Sequence, residues 1–360
     1  MEHTRRAVLG SVSAIGVGAL AGCLGGQGGN GDGDENGTGG GGDGAAQATF
    51  FVFGAIASAV AGDATSTDLL VPVGQHGHGW EPGPRVRESI RAADLLVHGM
   101  TGFQPWVDDI AADLAADDDA VDTVDASADV NLLPATDEHG HDHGSDEDHD
   151  GDEHDEHTET EHHDEHTETE HHEEGDDHER HAGEYDPHFW MDPGRVAEAV
   201  GTVEAALTEA NPDGADAHAD NATAVREELT ALDDRIGSLV ADAGEGMLLV
   251  AGHNSFRYLG DRYGLEVEAL TGLSPDDRPT ARDIERAQEA IAEHDLRYVC
   301  ADPLESQRAA DQLVEETDAE AVLPLTAMPG LTDEWAERDW GYLDVMREVN
   351  VPTLERVLSR

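Results

Sequence analysis

The sequence contains no lysine, and all of its 20 basic residues are arginine. Eighty acidic residues outweigh them, so the formal net charge is −60. Binding of nucleic acid depends on a basic face that neutralises phosphates, and this composition argues against it. The phosphate-binding loop of Walker-type ATPases requires a lysine, so this chain does not carry such an ATPase site.

The excess of acid predicts a strongly hydrated surface rather than a particular fold. At about 1 M salt the Debye length falls to roughly 3 Å, so surface carboxylates then repel one another only weakly. The composition therefore indicates a protein adapted to very high salt, and in this respect it resembles haloarchaeal proteins.

Cysteine is nearly absent, with two residues in the whole chain. Cys23 closes the run Leu20-Ala21-Gly22-Cys23, which looks like the cleavage box of a lipoprotein. If Cys23 is lipidated, Cys300 has no partner for a disulfide. Cys300 lies in an apolar run, and we predict that it is a buried thiol.

The N-terminus contains the twin-arginine pattern Thr4-Arg5-Arg6-Ala7-Val8-Leu9-Gly10. The apolar run over residues 7–21 is too short and too rich in glycine for a membrane span. We predict a twin-arginine lipoprotein signal over residues 1–22 and lipidation of Cys23, which would anchor the protein to the extracellular face of the cell membrane. The glycine- and acid-rich residues 23–45 are predicted to be a flexible tether.

Short apolar runs alternate with helical patterns in two sets, which is typical of βα units with parallel strands. We predict an α/β fold of two small lobes, each with a mainly parallel four-stranded sheet and flanking helices. The predicted strands cover residues 48–53, 68–73, 94–98 and 120–124, then 247–251, 266–270, 298–301 and 321–323. A last helix is predicted over residues 340–358, interrupted near Pro352.

A long helix is predicted over residues 211–242, because its apolar residues recur mostly at steps of three and four. About thirty helical residues span about 45 Å, so this helix is a candidate rigid strut between the lobes. We place the N-terminal lobe at 46–193, the helices that include the strut at 194–243, and the C-terminal lobe at 244–360.

Residues 137–185 form a histidine-rich tract that holds 13 of the 21 histidines among many acidic residues. The tract contains a nine-residue duplication, Asp155–His163 repeated as Asp164–His172. It has no aliphatic run from which a core could form. We therefore predict a disordered insertion within the N-terminal lobe.

Three histidines outside the tract stand beside aromatic residues: His78, His188 and His253. Neutral imidazole is a preferred ligand of zinc, and aromatic neighbours would exclude water and orient the ring. A single histidine of this kind is more often structural. Spacing alone does not bring these three together, because more than sixty residues separate each from the next.

The segments around these histidines resemble the zinc- and manganese-binding receptors of ABC transporters, the TroA-like group with a helical backbone. The family motifs are H-x-x-E-P, D-P-H-x-W-x-D-P and H-x-x-F-x-Y-L, and a histidine- and acid-rich insertion before the second motif is typical of the zinc-type members. The resemblance covers about residues 46–136 and 185–358. The matching segments are His78-Gly79-Trp80-Glu81-Pro82, Asp186-Pro187-His188-Phe189-Trp190-Met191-Asp192-Pro193 and Gly252-His253-Asn254-Ser255-Phe256-Arg257-Tyr258-Leu259.

The resemblance implies a metal site in the cleft between two lobes that a long backbone helix joins. His78 and His188 would come from the N-terminal lobe and His253 from the C-terminal lobe. The protein would be a monomeric extracytoplasmic receptor, not an enzyme, that captures Zn²⁺ for an ABC permease and a separate ATPase. Lobe motions would be small. Because binding needs neutral imidazoles, affinity is expected to fall as the pH drops through the histidine range near 6.5.

The fourth ligand departs from the family pattern. Manganese-type members usually carry an aspartate in an L-x-x-D-A-M-like element, and Thr326 stands at that place in this chain. The fourth donor is left open among water, Glu81, His76 and Asp333. A nitrogen-rich site favours zinc, whereas manganese prefers carboxylate oxygen.

The alternative functions are a receptor for manganese or another divalent metal, a stand-alone surface metal buffer, and a zinc hydrolase. The usual hydrolase signature H-E-x-x-H is absent. The tract is interpreted as a weak auxiliary zinc collector, because acidic residues alone would suffice for hydration in brine. The histidines proposed for this role are His139, His141, His143, His162, His163, His171 and His172.

Overall fold

The computed structural model describes residues 45–117, 120–135, 183–244 and 246–359. Within them the chain forms two lobes, each built on a four-stranded parallel sheet with flanking helices. The predicted α/β fold class is confirmed. The predicted signal, Cys23, most of the tether and the tract as far as residue 182 lie outside the described residues.

The first sheet has the strand order β2-β1-β3-β4, with every neighbouring pair parallel. The strand that follows β1 in the chain lies on one side of it, and β3 lies on the other side. Such a reversal of strand order opens a crevice at the carboxyl ends of β1 and β3. The strands are β1 (Ala45–Ala48), β2 (Ser66–Leu69), β3 (Leu95–His98) and β4 (Asp122–Asp125). The helices between them are α1 (Phe51–Ala61), α2 (Pro84–Arg91) and α3 (Pro105–Asp117).

The prediction of a first strand over residues 48–53 was wrong in its position. β1 ends at Ala48, and the aromatic residues after it form the first turn of α1. A continuous apolar run has no period that separates a buried strand from a buried helix. Tertiary packing decides here, because Phe50 and Phe53 both pack against the buried Trp190.

Two antiparallel helices, α4 (Pro193–Ala210) and α5 (Ala215–Ala243), follow the first lobe. Asp192 caps α4 by accepting the backbone N–H of Gly194 at 2.8 Å. The long helix begins four residues later than predicted, after the 3₁₀ turn Pro212–Gly214. Its 29 residues extend over roughly 43 Å at about 1.5 Å per residue.

The second sheet repeats the topology of the first, with the order β6-β5-β7-β8 and parallel pairs throughout. Its crevice lies at the carboxyl ends of β5 and β7. The strands are β5 (Met247–Val250), β6 (Glu266–Ala269), β7 (Tyr298–Ala301) and β8 (Ala321–Pro324). The helices are α6 (Arg257–Tyr263), α7 (Ala281–His294) and α8 (Arg308–Glu316).

The C-terminal segment is helical through Pro352 rather than interrupted there. A π turn over Met346–Asn350 precedes the proline, and such turns relieve the backbone constraints that proline imposes on a helix. The helices of this segment are α9 (Asp333–Glu337), α10 (Tyr342–Val345) and α11 (Val351–Leu358). None of the described helices has the length and apolar character needed to cross a lipid bilayer.

The two lobes share one hydrophobic core that α5 crosses. Buried residues of α5, among them Leu229 and Ile236, belong to the same cluster as Phe53 of the first lobe and Leu248 of the second. A wide opening between the lobes would expose this apolar surface to water, which is unfavourable. The packing therefore favours a cleft of nearly fixed width.

A hydroxyl of α6 also joins the lobes. The Tyr258 OH donates to the carbonyl of Asp186 at 2.6 Å and accepts the N–H of Leu133 at 2.8 Å. The side chain is fully buried. Burial makes both hydrogen bonds costly to lose.

We expect Tyr258→Phe to lower the free energy of unfolding by about 1–3 kcal/mol, because it leaves both partners without this hydroxyl while keeping the ring. Chemical denaturation in molar salt measures the change. Thr230→Ala, which removes an exposed hydroxyl of α5 that donates to Arg226 O, serves as the control and should shift stability by no more than about 0.5 kcal/mol. Equal effects of the two substitutions would contradict the bridging role of Tyr258.

Candidate metal centre

His78 lies in the loop that joins β2 to α2 and is half-buried. The loop rests on the second lobe through a hydrogen bond of 2.7 Å from the N–H of Gly77 to the carbonyl of Pro329. Position 77 requires glycine, because a Cβ there would lie 2.6 Å from the Phe50 ring. The His78 ring packs edge-on against Phe50 and Phe103, which fixes its plane.

His188 is fully buried at the start of the 3₁₀ turn that precedes α4. Its Nδ1 lies 2.8 Å from Asp186 Oδ1, and the same oxygen accepts the backbone N–H of His188 at 3.0 Å. The other carboxylate oxygen of Asp186 lies 3.3 Å from Arg257 Nη1. Arg257 and Tyr258, both from the third motif, thus hold the aspartate of the second motif in place.

His253 is buried at the carboxyl end of β5, in the crevice of the second sheet. Its Nδ1 lies 2.9 Å from Glu305 Oε1. Glu305 follows β7, the strand that pairs with β5. Loops at the carboxyl ends of two neighbouring parallel strands therefore bring this histidine and this carboxylate together.

The three predicted ligands converge on one point. One nitrogen of each of His78, His188 and His253 lies within 4.8 Å of the other two. The Nε2 atoms of His188 and His253 are 3.3 Å apart. Two nitrogens bound to one tetrahedral zinc ion at about 2.0–2.1 Å would be separated by about 3.3–3.4 Å. Because both rings meet a carboxylate at Nδ1, both Nε2 atoms remain available for a metal ion.

The environment of His78 and His188 favours the neutral imidazole. Burial, reinforced by the neighbouring His188, His76 and His253, holds the pKa of His78 well below its ordinary value of 6.5. Burial also lowers the pKa of His188, and the opposing effect of Asp186 does not cancel it. Neutral imidazole is the form that binds a metal ion.

The three open candidates for a fourth ligand lie in different places. Glu81 and Asp333 are exposed. Neither belongs to the histidine cluster, which is the one such donor group found among the described residues. The ring of His76 lies 5.2 Å from that of His78, centroid to centroid, and 6.4 Å from that of His253.

Thr326 is hydrogen-bonded to residues outside the histidine cluster. Its hydroxyl donates to Asp302 Oδ2 at 2.6 Å, and the Asn350 amide pairs with both its N–H and its carbonyl. Asp302 also accepts the N–H groups of Leu304 and Ala327. Burial raises the pKa of this aspartate to about 6 despite these hydrogen bonds.

Glu305 is a site residue that the sequence predictions missed. Burial raises its pKa, but His253 and His76 outweigh that effect and lower the pKa to about 2. A signal was present in the sequence, since Glu305 follows shortly after the predicted strand 298–301. Carboxyl ends of parallel strands are where ligand-binding side chains gather.

The sequence profile of the family described as ZnuA, zinc-uptake complex component A, periplasmic, matches residues 47–357. The chain belongs to the ZnuA family. The matched region contains nearly all of both lobes, α5 and all three histidines of the centre. The family resemblance that the three motifs indicated is confirmed.

Relatives in the ZnuA family come from several bacteria. Zinc-binding lipoprotein AdcA of Streptococcus pneumoniae is 29% identical over 314 residues, which cover 87% of this chain and 55% of AdcA. The chain thus spans about half the length of that relative. The high-affinity zinc uptake system protein ZnuA of Bacillus subtilis is 27% identical over 300 residues, which cover 83% of this chain and 83% of that protein.

A solved structure supports the same fold. The Zn(II)-bound ZnuA-like domain of Streptococcus pneumoniae AdcA matches with a TM-score of 0.66 at 25% identity. The match covers 89% of this chain and all of that domain. The two-lobe architecture is therefore that of the ZnuA-like domain.

We expect His78 and His188 of the metal-free protein to titrate below the ordinary histidine pKa of 6.5. A lowered pKa means that the neutral form persists as the pH falls past 6.5 and is lost only near the lowered value. Histidine Cε1–H chemical shifts, recorded by NMR as a function of pH, measure this for His78 and His188. His78→Gln and His188→Gln assign the two resonances. A midpoint at or above 6.5 for His78 would contradict the effect that burial and the neighbouring histidines have on its pKa.

Proposed function

We propose that this protein is the extracytoplasmic zinc receptor of an ABC importer. It captures Zn²⁺ between its lobes and presents the ion to a membrane permease that a separate ATPase drives. The observation that carries the proposal is the convergence of His78, His188 and His253, with two Nε2 atoms at the separation a zinc ion requires. Relatives named for zinc binding and zinc uptake support the choice of cargo.

Donor chemistry favours zinc over manganese. The three converging donors are nitrogens, which suit zinc, whereas manganese prefers carboxylate oxygen. Thr326 stands where manganese-type members usually carry an aspartate, and its hydroxyl is engaged with Asp302. A receptor of this composition therefore binds zinc more tightly than manganese.

The centre is suited to binding rather than to hydrolysis. Zinc hydrolases of the H-E-x-x-H type need a carboxylate that is free to act as a general base. The two carboxylates that contact the histidines, Asp186 and Glu305, are each engaged by an imidazole Nδ1. We therefore assign the protein no catalytic role.

The proposal extends to the location of the protein. Export by the twin-arginine route and lipidation of Cys23 would hold a monomeric receptor at the outer face of the membrane, close to its permease. The sequence pattern of residues 1–23 supports this part of the proposal. The name of AdcA, a zinc-binding lipoprotein, agrees with it.

The histidine-rich tract is proposed to collect zinc weakly near the centre. Its two described flanks, Ala135 and Gly183, line the same cleft as His78. A β-bridge between Pro134 and Tyr185 ties these flanks together. Ions held by histidines of the tract would thus be kept at a high local concentration beside the cleft.

We expect His188→Ala to weaken zinc binding more than about 100-fold, because loss of a direct ligand should exceed the 10–100-fold cost of losing an outer partner. Competition with a chelator of known affinity, in molar salt, measures the change. His294→Ala is the control, since His294 is exposed at the end of α7 and lies outside the cluster. Unchanged affinity in His188→Ala would show that the site is misassigned. Tighter binding of Mn²⁺ than of Zn²⁺ by the parent protein would overturn the choice of cargo.

Deletion of residues 138–182 should leave one tight zinc site and remove several weak ones. The three converging histidines all lie outside the deleted segment, whereas the seven tract histidines named above lie within it. Isothermal titration with Zn²⁺ separates the two classes of site. Loss of the tight site would show that the tract supplies a primary ligand, and an unchanged number of weak sites would contradict its role as a collector.

A further inference from the structure

The three histidines do not balance the positive charge of a divalent ion bound at the centre. Neutral imidazoles carry no negative charge, and a divalent ion in a mostly buried site is costly without nearby compensation. Thr326 stands where manganese-type receptors place a carboxylate. Its hydroxyl and both of its backbone groups already have partners.

Glu305 reaches the centre from a different loop. Its Oε1 lies 2.9 Å from His253 Nδ1 and 3.6 Å from His76 Nε2. The side chain crosses Gly252, where a Cβ would lie 2.7 Å from Glu305 Oε2. The glycine before His253 thus makes room for the carboxylate.

The contact between Glu305 and His253 repeats the contact between Asp186 and His188. In each pair one carboxylate oxygen lies within 3 Å of Nδ1, at 2.9 and 2.8 Å. A carboxylate at Nδ1 requires a proton on that nitrogen, which directs the lone pair of the ring to Nε2. These are the two Nε2 atoms that lie 3.3 Å apart.

Other described groups near Glu305 are less suited to this role. Asp302 is fully engaged by the hydroxyl of Thr326 and by two backbone N–H groups. The 3.6 Å between His76 and Glu305 is too long for a hydrogen bond. His76 Nε2 is buried without a hydrogen-bond partner, so the 2.9 Å contact to His253 is the one that Glu305 makes firmly.

We propose that Glu305 is a positioning residue of the metal centre. It keeps His253 protonated at Nδ1 with Nε2 directed at the ion, and it places beside the centre a negative charge that Thr326 does not provide. This inference rests on the proposed zinc-binding function and adds to it the residue that completes the outer layer of the site.

The test compares Glu305→Ala, Glu305→Gln and the control Asp311→Asn, which removes an exposed carboxylate of α8. Glu305→Ala should weaken Zn²⁺ binding about 10–100-fold, the usual cost of losing an outer partner of a ligating histidine. Glu305→Gln keeps an acceptor oxygen but loses the charge, so its affinity should lie between those of the parent and the alanine variant. Asp311→Asn should bind as the parent does. Chelator competition in molar salt gives all four affinities.

A spectroscopic readout separates positioning from a general structural effect. In the zinc-loaded parent, the Nδ1–H proton of His253 should be protected from exchange and visible by NMR, because Glu305 accepts it. This resonance should persist in Glu305→Gln and disappear in Glu305→Ala. The Nδ1–H of His188, held by Asp186, should persist in every variant and reports that the centre remains folded.

The outcomes separate the two proposals. Absence of a tight zinc site in the parent protein would refute the proposed function itself. Tight binding by the parent and equal affinity in Glu305→Ala would overturn the role of Glu305 and leave the function standing. Co²⁺ loaded into the parent and into Glu305→Gln should give the same visible absorption bands. Altered bands would mean that Glu305 ligates the ion directly, which also overturns the positioning role.

Discussion

The structure depends on holding three imidazole nitrogens toward one another in a centre with little access to water. Without a cation, the lone pairs on the Nε2 atoms of His188 and His253, 3.3 Å apart, repel, and burial disfavours the protonation of His188 that would relieve the repulsion. Contacts on the other edges of the rings hold the imidazoles in place against this repulsion. Asp186 and Glu305 each hold an Nδ1, and the edges of Phe50 and Phe103 fix the plane of His78. The arrangement is built in advance for a cation, which lowers the cost of ordering on binding.

The scaffold around the centre explains why this geometry is kept. A core shared by both lobes and crossed by α5 resists separation of the lobes. The loop of His78 rests on the second lobe through Gly77, and Tyr258 joins α6 to the segment that precedes His188. Arg195 reaches from α4 to Asp261 on α6. These contacts oppose a swing of whole lobes, so under the proposed function the ion would enter through local movement at the mouth of the cleft.

The sequence predicted the number and parallel character of the strands, the long helix and the three converging histidines. The long helix could be predicted because its apolar residues recur at a helical period. The aromatic run after β1 has no such period, and its helical structure depends on packing against Trp190. His78, His188 and His253 were all assigned to one site through family motifs, since no local pattern joins residues so far apart. Glu305 was missed because its role arises only when β7 pairs with β5.

Thr326, which the family motif aligns with the aspartate of manganese-type members, belongs to a local hydrogen-bond network. The Asn350 amide pairs with both backbone groups of Thr326, and Asn350 is placed by the π turn that precedes Pro352. A carboxylate introduced at position 326 would face the buried Asp302, whose pKa is already raised to about 6 by burial. Two buried carboxylates in contact repel when both are ionised. Asp302 and Asn350 therefore oppose an aspartate at position 326, and Thr326→Asp alone would not create a carboxylate ligand of the manganese type.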